Sequence, residues 1–237
     1  MNDLNLSTPG WPAPAPSTGE VPERYFGVWS RTLLETPDTR DTTTLVRWMQ
    51  LGEWHVDLRV PQSPDRPLQG FSGTTRITQV GDKEMCTWQR LVDYQPPRAT
   101  VDEGWMEFET TERVLERGIH STYFEIWDRL SGSVGKRIAL SEPARDDGRA
   151  SARIFVSGNY LMRVRPCEPI GPAFEITFGS WDGGVFRIEA STVGALRGTV
   201  ETLELRQVDG GRAVVTAAGH VGEWGVLEWW AGALDRI

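Results

Sequence analysis

Trp54-His55-Val56-Asp57-Leu58-Arg59-Val60 alternates apolar and polar residues with the two-residue period of a β-strand. His55, Asp57 and Arg59 therefore share one face, with successive members about 7 Å apart. Asp57 can orient the imidazole or pair with the guanidinium. An imidazole that titrates near neutral pH is a candidate general base. The same alternation also describes a solvated polar face opposite an apolar face of Trp54, Val56, Leu58 and Val60. The direction of the polar face separates the two readings. Turned inward beside a cavity it favours chemistry; turned outward around a filled interior it favours an interaction surface.

A second group follows at Trp88, Arg90, Asp93 and Tyr94. On a regular strand Trp88, Arg90 and Tyr94 share a face, and Arg with Tyr can hold a carboxylate or an enolate oxygen. Gln95-Pro96-Pro97 ends the strand at once, which puts the group at a rim. The candidate catalytic set is thus His55, Asp57, Arg59, Arg90 and Tyr94. The candidate ligand-binding set is Trp54, Trp88, Arg90, Asp93 and Glu125. Glu107 and Glu109 face away from Met106 and Phe108, the pattern of an exposed strand. Cys86 and Cys167 read as small buried hydrophobes, and His120 and His220 as structural residues. Two cysteines and three histidines do not make a Cys-rich metal site. Phosphate-binding loops, dinucleotide fingerprints, His-Glu-x-x-His and Gly-x-Ser-x-Gly are all missing from the sequence. No metal and no cofactor are expected.

The chain has 237 residues, enough for one large domain or two smaller ones. Its net charge of −8 argues against nucleic acid and anionic membranes, which need a dense basic patch. Lys83 and Lys136 are the only lysines among 25 basic residues, so Schiff-base chemistry has almost no candidates. Arginine suits planar anions and stacking on rings, and there are 11 tryptophans to stack on. No apolar run reaches the ~20 residues of a membrane-spanning helix, and the N-terminus does not read as a secretory signal. A cytoplasmic location without membrane insertion is the expectation.

Residues 1–20, with Pro9, Pro12, Pro14 and Pro16, read as a flexible arm. Beyond it, short β-rich segments alternate with glycine turns at Gly52-Glu53, Gly81-Asp82, Gly158-Asn159, Asp182-Gly183-Gly184 and Asp209-Gly210-Gly211. Regular spacing of this kind indicates an all-β barrel or sandwich. Helix is expected only at Ser191–Leu196 and from Trp229 onward. The chain also repeats. Tyr25-Phe26-Gly27-Val28-Trp29-Ser30-Arg31 resembles Tyr123-Phe124-Glu125-Ile126-Trp127-Asp128-Arg129, where Glu125 replaces Gly27. Arg47, Gly52 and Arg59 recur as Arg153, Gly158 and Arg165. Both matches read as a tandem duplication split near Gly118.

Phe26-Gly27-Val28-Trp29 contains the Gly-x-Trp that opens the first strand of lipocalins and related calycin barrels. The longer pattern Gly27–Leu34, Asp41–Thr44 and Val56–Pro61 resembles a small family with two lipocalin-like barrels in one chain. Phe71–Gly73, Asp93–Pro97 and Tyr123–Arg129 are similar to it as well. Fungal members of that family are known as casein-kinase-interacting proteins. The resemblance covers residues 25–130 best; it implies two calycin-type barrels and no assigned reaction. It also implies that Trp29 closes the base of its barrel.

The expected architecture is all-β, with two tandem antiparallel barrels over 21–118 and 119–237. The leading functional expectation is binding of a small apolar or aromatic molecule, carboxylate-bearing or not, in a barrel cavity. A cofactor-free lyase or isomerase and a protein-interaction module are the competing expectations. A homo-oligomer or a protein partner is compatible with any of them.

Overall fold

The computed structural model describes residues 21–63, 65–95, 100–143, 151–166 and 174–231. The proline-rich arm, Pro96-Pro97, Cys167 and the end of the C-terminal tail lie outside them. The chain is all-β. Its strands are β1 (Gly27–Glu35), β2 (Arg40–Asp41), β3 (Leu45–Leu51), β4 (Trp54–Val60), β5 (Gln69–Val80), β6 (Lys83–Asp93), β7 (Asp102–Thr110), β8 (Arg113–Gly118) and β9 (Phe124–Arg129). They continue as β10 (Arg137–Ser141), β11 (Arg153–Ser157), β12 (Tyr160–Pro166), β13 (Phe174–Trp181), β14 (Val185–Ser191), β15 (Val200–Gln207), β16 (Arg212–Ala217) and β17 (His220–Trp230).

β1 and β3–β9 close into an antiparallel barrel through β1–β9 pairing, with the two-residue β2 added beside β1. β10–β17 close into a second barrel. Glycine turns join the strands where the sequence places them. Gly52 and Gly158 adopt φ +48° and +57°, which glycine reaches without strain. The expected helices give way to other structure. Gly194–Leu196 forms a 3-10 turn, as Glu23–Tyr25 does ahead of β1, and Trp229 lies within the long strand β17.

The barrel boundary falls after Arg129, not near Gly118. The Tyr25–Arg31 and Tyr123–Arg129 segments are not repeat counterparts. They are neighbours in the first barrel, with Trp29 opposite Arg129 and Arg31 opposite Trp127. Two strands with the same in–out alternation resemble each other because both pack one barrel interior. The second match does equate like with like. β3–β4 and β11–β12 are the second and third strands of their barrels, joined in the same way.

Trp29 is fully buried, and the Arg129 guanidinium lies 4.5 Å from its ring centre. Its Nε1 donates to the Tyr25 carbonyl at 2.8 Å. Gly27 permits this packing. Its φ is +130°, and a Cβ there would stand 3.3 Å from Arg129 Cδ.

The two hairpins pack against each other. Met49, Leu51, Trp54, Val56 and Leu58 from the first barrel share one apolar core with Phe155, Met162, Val164, Ile176 and Phe178 from the second. Arginines reinforce it reciprocally: Arg153 lies over the Trp54 ring at 4.4 Å and Arg47 over the Phe178 ring at 5.5 Å. Both faces of β4 are therefore buried over most of its length. Its apolar face meets the other barrel, and its polar face fills its own.

Two outcomes test this packing. Trp29→Ala should cost about 3–5 kcal/mol in denaturant unfolding, the range for deleting a large buried aromatic. Phe178→Ala, which removes a ring of the inter-barrel core that also stacks on Tyr160, should cost a similar ~3–5 kcal/mol. A loss below ~1 kcal/mol for Phe178→Ala would mean that the barrels are stable side by side without this core.

Candidate functional site

The inward face of β4 carries His55, Asp57 and Arg59, so the solvated-face reading of this alternation is inverted. Asp57 and Arg59 line a cavity of about 270 Å³ inside the first barrel. Trp48, Phe71, Trp88 and Trp127 supply its rings, and Arg90, Asp102, Glu116, Tyr123 and Glu125 much of its polar lining. The indoles bridge the cavity and the apolar cluster at the Trp29 end of the barrel. Trp48 packs edge to face on Trp88 and on Trp127, at interplanar angles of 81° and 74°. Thr36, Ser121, Thr122 and Tyr123 also line an adjoining surface hollow, which places the mouth there.

Nearly every charge in the cavity wall is answered by another. Arg59 Nε donates to Asp57 at 2.8 Å. Arg90 pairs with Asp102 and, at 3.2 Å, with Asp93. The Phe71 ring lies between these cations, 3.5 Å from the Arg90 guanidinium and 5.5 Å from that of Arg59. Glu125 accepts from Arg31 at 2.7 Å, and Arg31 also reaches Asp41 at 3.5 Å. Burial of unpaired charges is costly, so such pairing is what a polar barrel interior requires.

Glu116 differs. It is 5% exposed and forms no ion pair among the described residues. Its carboxylate accepts hydrogen bonds from Tyr123 Oη at 2.6 Å and Trp127 Nε1 at 2.9 Å. Gly104 makes room for it, since a Cβ there would lie 2.9 Å from its side chain. Burial, with cross-strand Glu125 next in importance, holds its carboxyl well above the ordinary range. Burial raises Glu125 too, against the pull of Arg59 and Arg31.

His55 is on the inward face but does not line the cavity. It is fully buried, and Nδ1 lies 3.0 Å from Thr75 Oγ1. Thr75 donates its own hydrogen to Gln50 Oε1 at 2.7 Å, which leaves Nδ1 as the donor to Thr75. Nε2 is buried without a partner. Burial, with Arg90 nearby, pushes the imidazole down to about 3, so it is neutral at physiological pH and a weak base. Tyr94 is not in the lining; its backbone N–H donates to the Gly70 carbonyl. Trp54 is outside the barrel, in the inter-barrel core. Of the sequence-derived candidates, Asp57, Arg59, Trp88, Arg90 and Glu125 come together at the cavity, with Asp93 behind Arg90. His55, Tyr94 and Trp54 do not join them. Trp48, Phe71, Asp102, Glu116 and Tyr123 were not singled out by the sequence. Glu116 was the hardest to find, because the short strand β8 carries little apolar alternation.

The second barrel has a different interior. Ile138, Leu140, Ile154, Val156, Leu161, Trp181, Phe186 and Leu203 pack into a continuous apolar cluster. At the end of β12, Arg163 is bound by Glu175 and Glu201, and Arg165 by Glu175. Among the described residues, no group of acidic, histidine and cysteine side chains is arranged to hold a metal. No helix of the described residues is long and apolar enough to cross a membrane.

No family model and no curated protein matches the chain. Its fold is similar to the crystal structure of the uncharacterised protein YLR301w from Saccharomyces cerevisiae, with a TM-score of 0.64. The two are 14% identical, over 86% of this chain and 99% of that one. At this identity the likeness shows the two-barrel fold alone.

The buried imidazole yields a pH test. In the unfolded chain His55 titrates near 6.5, whereas in the folded chain it resists protonation down to about 3. Unfolding therefore takes up a proton below about pH 6.5. The stability tied to the neutral ring is whole above that pH and lost as pH falls, by up to about 1.4 kcal/mol per unit. Urea unfolding free energies of the wild type should fall more steeply from about pH 7 to about pH 5 than those of His55→Gln. Parallel curves would mean that His55 is protonated or solvated in the native state.

Proposed function

We propose that the protein binds one small molecule, largely apolar or aromatic, in the cavity of the first barrel. The observation that carries this reading is the contrast between the two interiors. One barrel of the pair carries a continuous apolar cluster of its own side chains inside. The other keeps about 270 Å³ open between rings and hydrogen-bonding groups. Rings give a ligand apolar area, and a few fixed polar groups orient it, the usual composition of a small-molecule site. The contact of Arg129 with Trp29, next to Gly27, supports grouping the barrels with the lipocalin-like calycins, which enclose single ligands. Two cysteines in 237 residues suit a reducing, cytoplasmic setting. The lyase or isomerase reading loses its general base, since His55 is a weak base buried away from the cavity.

Ligand binding should raise the melting temperature by mass action and change the fluorescence of the lining indoles. Leu34 lines the cavity and is only half-buried. Leu34→Trp should block the space while sparing the barrel core. A thermal-shift screen of small aromatic compounds should give hits on the wild type that vanish with Leu34→Trp. Hits that persist in the variant would place binding elsewhere, and a screen without hits would count against a binding cavity.

A further inference from the structure

We propose that the ligand of the first barrel is an organic cation, an aromatic amine or a quaternary ammonium, with its charge held between Glu116 and the indoles of Trp48, Trp88 and Trp127. This rests on the cavity being a binding site, and it adds the sign of the ligand's charge.

The first support is how the cavity's charges are distributed. Four carboxylates line it, Asp57, Asp102, Glu116 and Glu125, against two guanidiniums, Arg59 and Arg90. Both guanidiniums are already engaged, by Asp57 and by Asp102 with Asp93. A ligand carboxylate would find no free cation and would meet Glu116, which has no ion-pair partner among the described residues. A ligand cation meets the one lining carboxylate for which the described residues supply no positive partner. That reverses the expectation drawn from arginine abundance, because these arginines are spent on the protein's own acids.

The second support is independent of the acids. Three indoles meet edge to face at steep angles around the same space. Indole faces attract cations more strongly than other rings do, and aromatic cages of this kind suit quaternary ammonium groups. Trp48 adds a polar handle. It is 2% exposed, and its Nε1 is buried with no acceptor. A hydroxyl or carbonyl oxygen on the ligand would satisfy it.

Binding of a cation should also be linked to proton release. Glu116 is faced by Asp102 from β7, Glu125 from β9, Tyr123 from the segment before β9, Arg59 from β4 and Cys86 from β6. Asp102 and Glu125 disfavour a further negative charge there, while Arg59 and the hydrogen bond from Tyr123 favour it. A bound cation favours the ionised carboxylate, so its affinity should rise with pH over the range in which free Glu116 holds its proton.

Calorimetric and thermal-shift titrations of the full chain with benzyltrimethylammonium, benzyl alcohol and phenylacetate test this directly. The first probe carries a charge that does not titrate. It should bind about tenfold or more tightly than the other two, and more tightly at about pH 8 than at about pH 6. Glu116→Gln should erase that preference and the pH dependence. Trp88→Leu, at the most exposed of the three indoles, should weaken the cation more than benzyl alcohol, and it tests the cage should Glu116→Gln fail to fold. Equal or tighter binding of phenylacetate or benzyl alcohol, blocked by Leu34→Trp, overturns the cation inference and leaves the cavity as a binding site. Lack of binding by all three probes to millimolar concentration overturns the cation inference; the binding-site reading falls only if the broader screen of aromatic compounds also gives no hit that Leu34→Trp abolishes.

Discussion

The apolar contact between the two barrels is the constraint on which the rest of the structure depends. A strand has two faces, and β4 spends its apolar one outside its own barrel, on Phe155, Met162 and Ile176 of the other. The period of two then forces His55, Asp57 and Arg59 inward. The first barrel must house three polar side chains from one strand. Thr75 on β5 takes the imidazole, Arg59 pairs with Asp57 along β4 itself, and the neighbouring Arg90 is held by Asp102 and Asp93.

An interior built of ion pairs is less compressible into a filled core than one built of leucine and valine. Each pair needs its own geometry, and the large rings between them meet edge to face. The cavity is what remains. The second barrel shows the other solution in the same topology. Leu161 stands in the register position of His55, and the interior there carries an apolar cluster. Where arginines do enter it, at Arg163 and Arg165, the acids Glu175 on β13 and Glu201 on β15 meet them.

Much of the fold was legible in the sequence, because glycine turns and two-residue alternation are local signals. The hairpin match of Arg47, Gly52 and Arg59 with Arg153, Gly158 and Arg165 located true equivalents. The match of Tyr25–Arg31 with Tyr123–Arg129 misled about the boundary. Nothing local distinguishes two strands of one barrel from the same strand in two barrels, and only the β1–β9 pairing tells them apart. The site was half legible for a related reason. Alternation groups His55, Asp57 and Arg59 on one face but does not say which face is inside, and the apolar one looks like the interior until a second barrel is present to cover it. Asp102, Glu116 and Tyr123 come from three further segments, and their meeting is a property of closure. The packed surroundings that make His55 a weak base are equally invisible in one dimension.

The order of the strands along the chain gives the interface a consequence in time. The first barrel closes on β9, so all of its hydrogen-bonded ladders are present once residue 129 has been made. The outward side chains of Met49, Leu51, Val56 and Leu58 then lie on a finished domain with nothing to cover them. They stay wet until β11, β12 and β13 have left the ribosome and folded. A nascent chain held at that stage is a complete barrel with a large apolar patch, the kind of surface that draws chaperones or pairs with another copy of itself. The pace of synthesis between residues 130 and 181 thus sets how long the molecule is adhesive, and a chain truncated in that stretch keeps the adhesive face permanently.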